Sequence, residues 1–171
     1  GSIQGIVVSS GNVYTAALDS TVLRINKLDS SLSPQAGNDV AGTYGNTVGQ
    51  RRNIGKDSSG NIYIAGLRTD THELVVAKYD VNLNLQGSVR RINDKSFYTG
   101  VTMATRGDNI YVTAVSSTST QNLTSIYRFG TNLNDNFLSS TTLIATFSQG
   151  QDGCACEERA LAIDPTNGDL Y

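Results

Sequence analysis

The chain of 171 residues is 38% apolar and 16% charged, with a formal net charge of −2. That balance gives no electrostatic hold on nucleic acid or an anionic membrane, and no apolar run approaches the roughly 20 residues that cross a bilayer as a helix. Seventeen Gly against two Pro, with apolar residues in short regular runs, mark a lean globular chain rather than a disordered one.

The predicted elements, in chain order, are all strands. Gly5-Ile6-Val7-Val8 and Val13-Tyr14-Thr15-Ala16-Ala17 pair across Ser10-Gly11-Asn12, because Gly and Asn tolerate the positive φ of a tight turn. Val22-Leu23-Arg24-Ile25 follows, ending in the turn phrase Lys27-Leu28-Asp29-Ser30-Ser31-Leu32-Ser33, and a weaker fourth strand is expected near 39–42. The order then repeats. Arg52-Asn53-Ile54-Gly55 and Ile62-Tyr63-Ile64-Ala65-Gly66 flank Ser59-Gly60-Asn61; Leu74-Val75-Val76-Ala77 runs into Lys78-Tyr79-Asp80-Val81-Asn82-Leu83-Asn84, with a fourth strand at 85–92. A third round takes Val101-Thr102-Met103-Ala104, Ile110-Tyr111-Val112-Thr113-Ala114 and Ser125-Ile126-Tyr127 into Arg128-Phe129-Gly130-Thr131-Asn132-Leu133-Asn134, then a strand at 137–145. Ala160-Leu161-Ala162-Ile163 and Gly168-Asp169-Leu170-Tyr171 open a fourth. No stretch sustains a 3.6-residue period, so helix beyond a turn is not predicted.

Four short antiparallel strands in a unit of about 50 residues is the arithmetic of a propeller blade. Such a sheet cannot bury both faces alone and stacks on its neighbours. Val7, Val13, Ile25, Ile54, Ile62, Ile64, Val76, Ile110, Val112, Ile126, Leu161 and Ile163 are predicted to fill the layers between sheets. The expected fold is therefore an all-β partial β-propeller: three four-stranded antiparallel blades plus the first hairpin of a fourth. It forms a single domain over 1–171, with blades at about 3–49, 50–97, 98–157 and 158–171. A solenoid or sandwich is the alternative. The chain starts at Gly1-Ser2 without an initiator Met or signal peptide and stops inside a strand. It is expected to be a fragment of a longer protein, or to have its open edge covered by another chain.

Asp57-Ser58-Ser59-Gly60-Asn61-Ile62-Tyr63-Ile64-Ala65-Gly66, with Leu74-Val75-Val76-Ala77-Lys78-Tyr79-Asp80-Val81-Asn82-Leu83-Asn84-Leu85, closely resembles the bacterial SBBP-type β-propeller repeat. Ala162-Ile163-Asp164-Pro165-Thr166-Asn167-Gly168-Asp169-Leu170-Tyr171 is similar to the opening of another copy, and to NHL-type repeats more loosely. Ala17 and Ala114 stand where the second unit has Gly66, and the aromatic often found in the last strand is missing. The resemblance implies an extracellular or cell-surface setting and a structural or binding role, with no shared catalytic set. A surface rich in Thr, Ser, Asn and Gly points the same way.

Candidate chemistry is sparse. Gln151-Asp152-Gly153-Cys154-Ala155-Cys156-Glu157-Glu158-Arg159 sits in an insertion of the third unit. Cys154 and Cys156 fit a local or intermolecular disulfide, free thiols, or with Asp152 a weak soft-metal site that lacks the four ligands of a closed zinc centre. Asn122-Leu123-Thr124 is a glycosylation sequon, with Asn122 the acceptor. Asp57, Asp164 and Asp169 lie in loops that look faintly calcium-like, but lack the further acids and distal Glu of an EF-type loop and are read first as capping their turns through Asx hydrogen bonds. Arg106-Gly107-Asp108 spells an adhesion triplet at a position where each unit needs turn residues. His72 is a lone imidazole in a polar loop, and the repeated Tyr14, Tyr63, Tyr111 and Tyr171 read as packing or channel-lining residues.

With no paired nucleophile and base and no Gly-rich phosphate loop, no enzyme and no cofactor is predicted, calcium remaining open. The expected function is a non-catalytic extracellular module that binds protein through open blade edges or faces, without nucleic acid or membrane insertion. Two alternatives stand beside it. One is a propeller that binds surface glycans or mediates adhesion through loops 67–73 and 116–123. The other is a fragment of a lyase or quinoprotein-like propeller enzyme.

Overall fold

The computed structural model describes residues 1–44, 52–91, 97–117, 122–133, 141–149 and 161–171. Among these residues there are twelve strands and no helix, in three four-stranded antiparallel sheets that each run as a simple meander. Sheet 1 holds β1 (Ser2–Ser9), β2 (Asn12–Asp19), β3 (Val22–Leu28) and β4 (Pro34–Asp39). Sheet 2 holds β5 (Ile54–Lys56), β6 (Ile62–Leu67), β7 (Leu74–Tyr79) and β8 (Leu85–Arg91). Sheet 3 holds β9 (Phe97–Arg106), β10 (Asn109–Ser117), β11 (Asn122–Phe129) and β12 (Thr141–Gln149). Residues 161–171 add a short hairpin in which Ala162 and Tyr171 exchange backbone hydrogen bonds, both at 2.9 Å.

Each sheet has a front face, turned toward the preceding unit, and a rear face, turned toward the following one. Tyr14, Ala16, Leu23 and Ile25 on the rear of sheet 1 pack with Ile54, Ile64, Ala77 and Tyr79 on the front of sheet 2. Tyr63, Ala65, Leu74 and Val76 on the rear of sheet 2 pack with Met103, Ile110, Val112 and Phe129 on the front of sheet 3. Sheet 2 is thus buried on both sides, which is why β6 reads as an almost unbroken apolar run rather than an alternation. Ile25, Ile54, Ile62, Ile64, Val76, Ile110, Val112 and Leu161 are buried as predicted, and Val7 packs partly buried against the first layer. Val13, Ile126 and Ile163 are only half-buried. Val13 lies on the front of sheet 1, which none of the described sheets covers, and Ile126 on the rear of sheet 3.

Most strands run a few residues beyond the expected runs, and three further differences have a local cause. The fourth strand of the first unit is Pro34–Asp39, not 39–42; all its residues are exposed, so no apolar alternation announces it. In the second unit the strand begins at Ile54, because Arg52 adopts φ 60 and turns its peptide groups out of the sheet. Its N–H donates to the Gln4 carbonyl at 2.7 Å and its carbonyl accepts from Met103 N–H at 2.8 Å. One residue thereby ties the inner strands of all three sheets. The last strand of the third unit runs Thr141–Gln149, later than 137–145, since its register pairs Thr141 with Phe129 and Gln149 with Asn122; residues 137–140 lie outside the described residues.

The inner strands approach closely enough to require glycine. A Cβ on Gly5 would sit 2.9 Å from Ile54 Cγ2, and one on Gly55 would overlap the Thr105 side chain and lie 3.2 Å from Met103 Sδ. Gly55→Val is expected to lower stability by about 1–3 kcal/mol through this overpacking. Urea denaturation reads the result as a lower midpoint at unchanged slope.

Candidate functional site

The polar residues of the repeat are used first to build turns. Asp29 Oδ1 accepts from the N–H groups of Ser31 and Ser33 at 2.8 and 2.9 Å. Asp80 Oδ1 accepts from Asn82 and Asn84 at the same two distances, 2.8 and 2.9 Å. The bonds from Asn84, first from its side chain and then from its backbone, hold the Asp80 carboxyl below its usual range. Each turn places a leucine at positive φ, 62° for Leu32 and 66° for Leu83, a conformation uncommon for so bulky a residue. Its use is packing: Leu83 is buried between sheets 1 and 2, and Leu133, at the same repeat position, between sheets 2 and 3.

The hairpin turns that join first and second strands form a row across the stack. Ser9 Oγ donates to the Gly60 carbonyl at 3.1 Å, Ser58 Oγ bonds the Asp108 carboxylate, and Arg106 Nη2 donates to the Thr166 carbonyl at 3.0 Å. Both charged ends of the Arg106-Gly107-Asp108 triplet are therefore engaged with neighbouring turns, one forward and one back. A second set of joints uses the repeated tyrosine. Tyr14 Oη donates to the Val81 carbonyl at 2.8 Å, and Tyr63 Oη, whose single proton goes to Asp57 at 3.0 Å, lies 3.5 Å from the equivalent Thr131 carbonyl. Burial, followed by the charge of Asp80, raises the Tyr14 hydroxyl above its ordinary pKa.

Asp57 is the most embedded acid among the described residues. It accepts from Asn61 N–H at 2.9 Å, Asn61 Nδ2 at 2.8 Å and Tyr63 Oη at 3.0 Å, with Lys78 Nζ 3.9 Å away. Lys78 Nζ also donates to the Thr131 carbonyl at 2.9 Å and lies 5.7 Å from the centre of the Tyr63 ring. These groups plug the junction of sheets 2 and 3, and the hydrogen bonds compensate the burial of the carboxylate. Asp164 caps its own turn by accepting from Thr166 N–H at 2.7 Å, and Asp169 accepts from Asn167 Nδ2 at 2.8 Å. Asp57 and Asp164 thus cap their own turns, whereas Asp169 is bonded by the Asn167 side chain and donates its own N–H to Asn167 Oδ1 at 2.9 Å. Among the described residues no group of three His, Cys, Asp or Glu side chains is gathered for a metal ion.

Loop 68–73 is closed on itself. Arg68 pairs with Asp70 at 2.6 Å and with buried Glu73 at 3.2 Å, while Thr71 Oγ1 donates to the same Glu73 oxygen at 2.6 Å. His72 is exposed there at φ 54. The tyrosines diverge: Tyr14 and Tyr63 are buried, Tyr111 half-buried and Tyr171 exposed. Asn122 opens β11 opposite Ser117 and Gln149. Asp152, Cys154 and Cys156, and with them the disulfide and soft-metal readings, lie outside the described residues, as does the middle of loop 116–123.

Two surface features were not legible in the sequence. The front of sheet 1 exposes Ile3, Ile6, Val8 and Leu32 together; each alone reads as ordinary strand or turn. Over β3 and β4 lies an open hollow of about 570 Å³, lined by Asn26, Gln35, Asn38 and the Arg24–Asp39 pair. Arg24 Nε and Nη2 reach the two Asp39 oxygens at 2.6 and 3.1 Å, and the hydrogen bond holds Asp39 below its usual range.

No family model matches the chain. No curated protein sequence matches it either. Among solved structures, a protein of unknown function from Bacteroides caccae matches with a TM-score of 0.45 and 8% identity over 85% of this chain. This chain spans 60% of that protein's length.

Proposed function

We propose that the chain is a non-catalytic structural and protein-interaction module of β-propeller type. In this reading it is extracellular or at the cell surface, works as part of a larger protein or assembly, and carries repeats of SBBP type. The observation that carries the reading is the repetition of one joint. Sheets 1 and 2, and again sheets 2 and 3, meet through a buried leucine, a tyrosine hydroxyl placed beside a turn carbonyl, and a bond between hairpin turns. The 161–171 hairpin adds a further turn-to-turn bond through Arg106. Nearest-neighbour stacking of this kind gives blades their shape and leaves faces and edges for partners. Among the described residues, Asp29, Asp57, Asp80, Asp164 and Glu73 are engaged in turns and loops, which supports a structural and binding role.

Small-angle X-ray scattering of the chain tests the architecture. A profile fitting sheets fanned about a common inner edge is expected, and one fitting a flat sandwich would sink the propeller reading. The polar hollow over β3 and β4 favours a second reading, binding of a surface glycan whose hydroxyls the Asn26 side chain and the Arg24–Asp39 pair would meet. A glycan array showing binding that Asn26→Ala abolishes would favour it over protein contact alone.

A further inference from the structure

The layer between sheets 1 and 2 contains a gap that its residues explain. On the front of sheet 2, Ala77 and Tyr79 pair with Ile64 and Ile62; at the same places on the front of sheet 3, Tyr127 and Phe129 pair with Val112 and Ile110. Where the third unit has the ring of Tyr127, the second has only a methyl group. Ser88, the neighbour of Ala77 on β8, is small as well. The missing bulk leaves a cleft of about 120 Å³ between these residues and β4. Asn38, Asp39 and Val40 form one wall, and Val75, Ala77 and Tyr79 the other. Asn38 Nδ2 donates to the Leu83 carbonyl at 3.2 Å, so a direct bond between the two sheets sets the spacing of the walls.

The hydroxyl of Tyr79 is the group that packing leaves over. Tyr79 is 2% exposed, and its hydroxyl has no hydrogen-bond partner among the described residues, whereas those of Tyr14 and Tyr63 are both bonded. Phe129, buried at the equivalent place, shows that a ring without the hydroxyl fits. A buried hydroxyl is costly to leave unpaired, so this one calls for an acceptor. Burial, then the charge of Asp39, pushes it up to about 12, and at neutral pH it is a donor. The same carboxylate disfavours an anion in the cleft. Arg24 already holds both Asp39 oxygens, at 2.6 and 3.1 Å, which leaves little attraction for a cation.

We propose that this cleft binds a small neutral molecule with an apolar body the size of one six-membered ring and a single hydrogen-bond acceptor, the ring between Val40 and Ala77 and the acceptor on the Tyr79 hydroxyl. The volume suits such a ligand, since a dry apolar cavity of about 150 Å³ takes up benzene. The site requires only the packing of sheet 1 on sheet 2, so it stands apart from the propeller reading.

Titrating the isotope-labelled chain with cyclohexanone, and in parallel with benzene, tests this by NMR. Cyclohexanone should shift the backbone amides of Val40, Ala77 and Tyr79 with a Kd of about 1 mM, the affinity expected of so small a ligand. Tyr79→Phe should weaken cyclohexanone about tenfold, the worth of one hydrogen bond, and leave benzene unchanged. Ser88→Leu, at a half-buried position of the lining, should abolish the binding of both while the rest of the amide spectrum stays in place. Wild-type amides at the cleft that do not respond to cyclohexanone overturn the proposal. So does a Tyr79→Phe variant that binds cyclohexanone as the wild type does, or that loses benzene as well, and so does a Ser88→Leu variant that keeps both.

Discussion

Replacing Tyr63 with alanine is expected to lower the unfolding free energy by about 3–5 kcal/mol, the range for truncating a large buried aromatic. The ring is fully buried between sheets 2 and 3, and its loss opens a cavity that rigid backbone on both sides cannot fill. The hydroxyl matters separately, since it donates to Asp57 at 3.0 Å. Tyr63→Phe removes that donor, keeps the ring, and leaves Asp57 its two bonds from Asn61. It should cost about 1.5–3 kcal/mol, the range for a hydrogen bond to a charged group. Urea midpoints of the two variants divide the residue into its packing and its polar parts. If both variants lost the same amount, the cavity argument would be wrong. Domains of this size are stable by about 5–15 kcal/mol, so the alanine variant is expected to be close to unfolding.

Alkaline pH should weaken the fold through the same layers. Burial, then the charge of Asp39, pushes the Tyr79 hydroxyl up to about 12, and burial followed by the Asp57 hydrogen bond raises Tyr63 above its ordinary value. A raised native pKa means that the folded chain holds its proton more tightly than the unfolded one. The stabilisation is complete below the unfolded tyrosine value of about 10 and is lost as pH rises through the folded value. Each tyrosine should contribute a slope of about 1.4 kcal/mol per pH unit in that window, so Tyr79 alone accounts for roughly 2–3 kcal/mol by about pH 12. Equilibrium unfolding from about pH 9 upward measures this. Tyr79→Phe should flatten the limb, and an unchanged limb would show that Tyr79 is not its source.

The strand order was legible because hairpins need Gly, Asn or Asp at fixed places and because buried strands need β-branched and aromatic residues. β2, β6 and β10 follow directly from the phrases ending in Tyr14, Tyr63 and Tyr111. β4 was misplaced for the opposite reason: Pro34-Gln35-Ala36-Gly37-Asn38-Asp39 is an exposed edge whose backbone pairing leaves no mark on composition. The start of β5 depended on a single positive φ at Arg52, which tertiary hydrogen bonding imposes on an ordinary residue. The equivalent tyrosines could not be graded by burial from sequence, since what buries Tyr14 is sheet 2, a tertiary neighbour that the tyrosine phrase itself does not encode. Asp57 was recognised as a turn residue, but its bond to Tyr63 depends on how β6 presents the ring. The Arg106-Gly107-Asp108 turn was recognised too, yet its partners Thr166 and Ser58 are remote in sequence and visible only once the turns are stacked.

The turn row repeats in position while changing in chemistry: hydroxyl to carbonyl at Ser9, hydroxyl to carboxylate at Ser58, guanidinium to carbonyl at Arg106. Neighbouring units are therefore not interchangeable tiles. A unit transplanted one place along would offer its key to the wrong lock, so the seams themselves record the order in which the sheets belong.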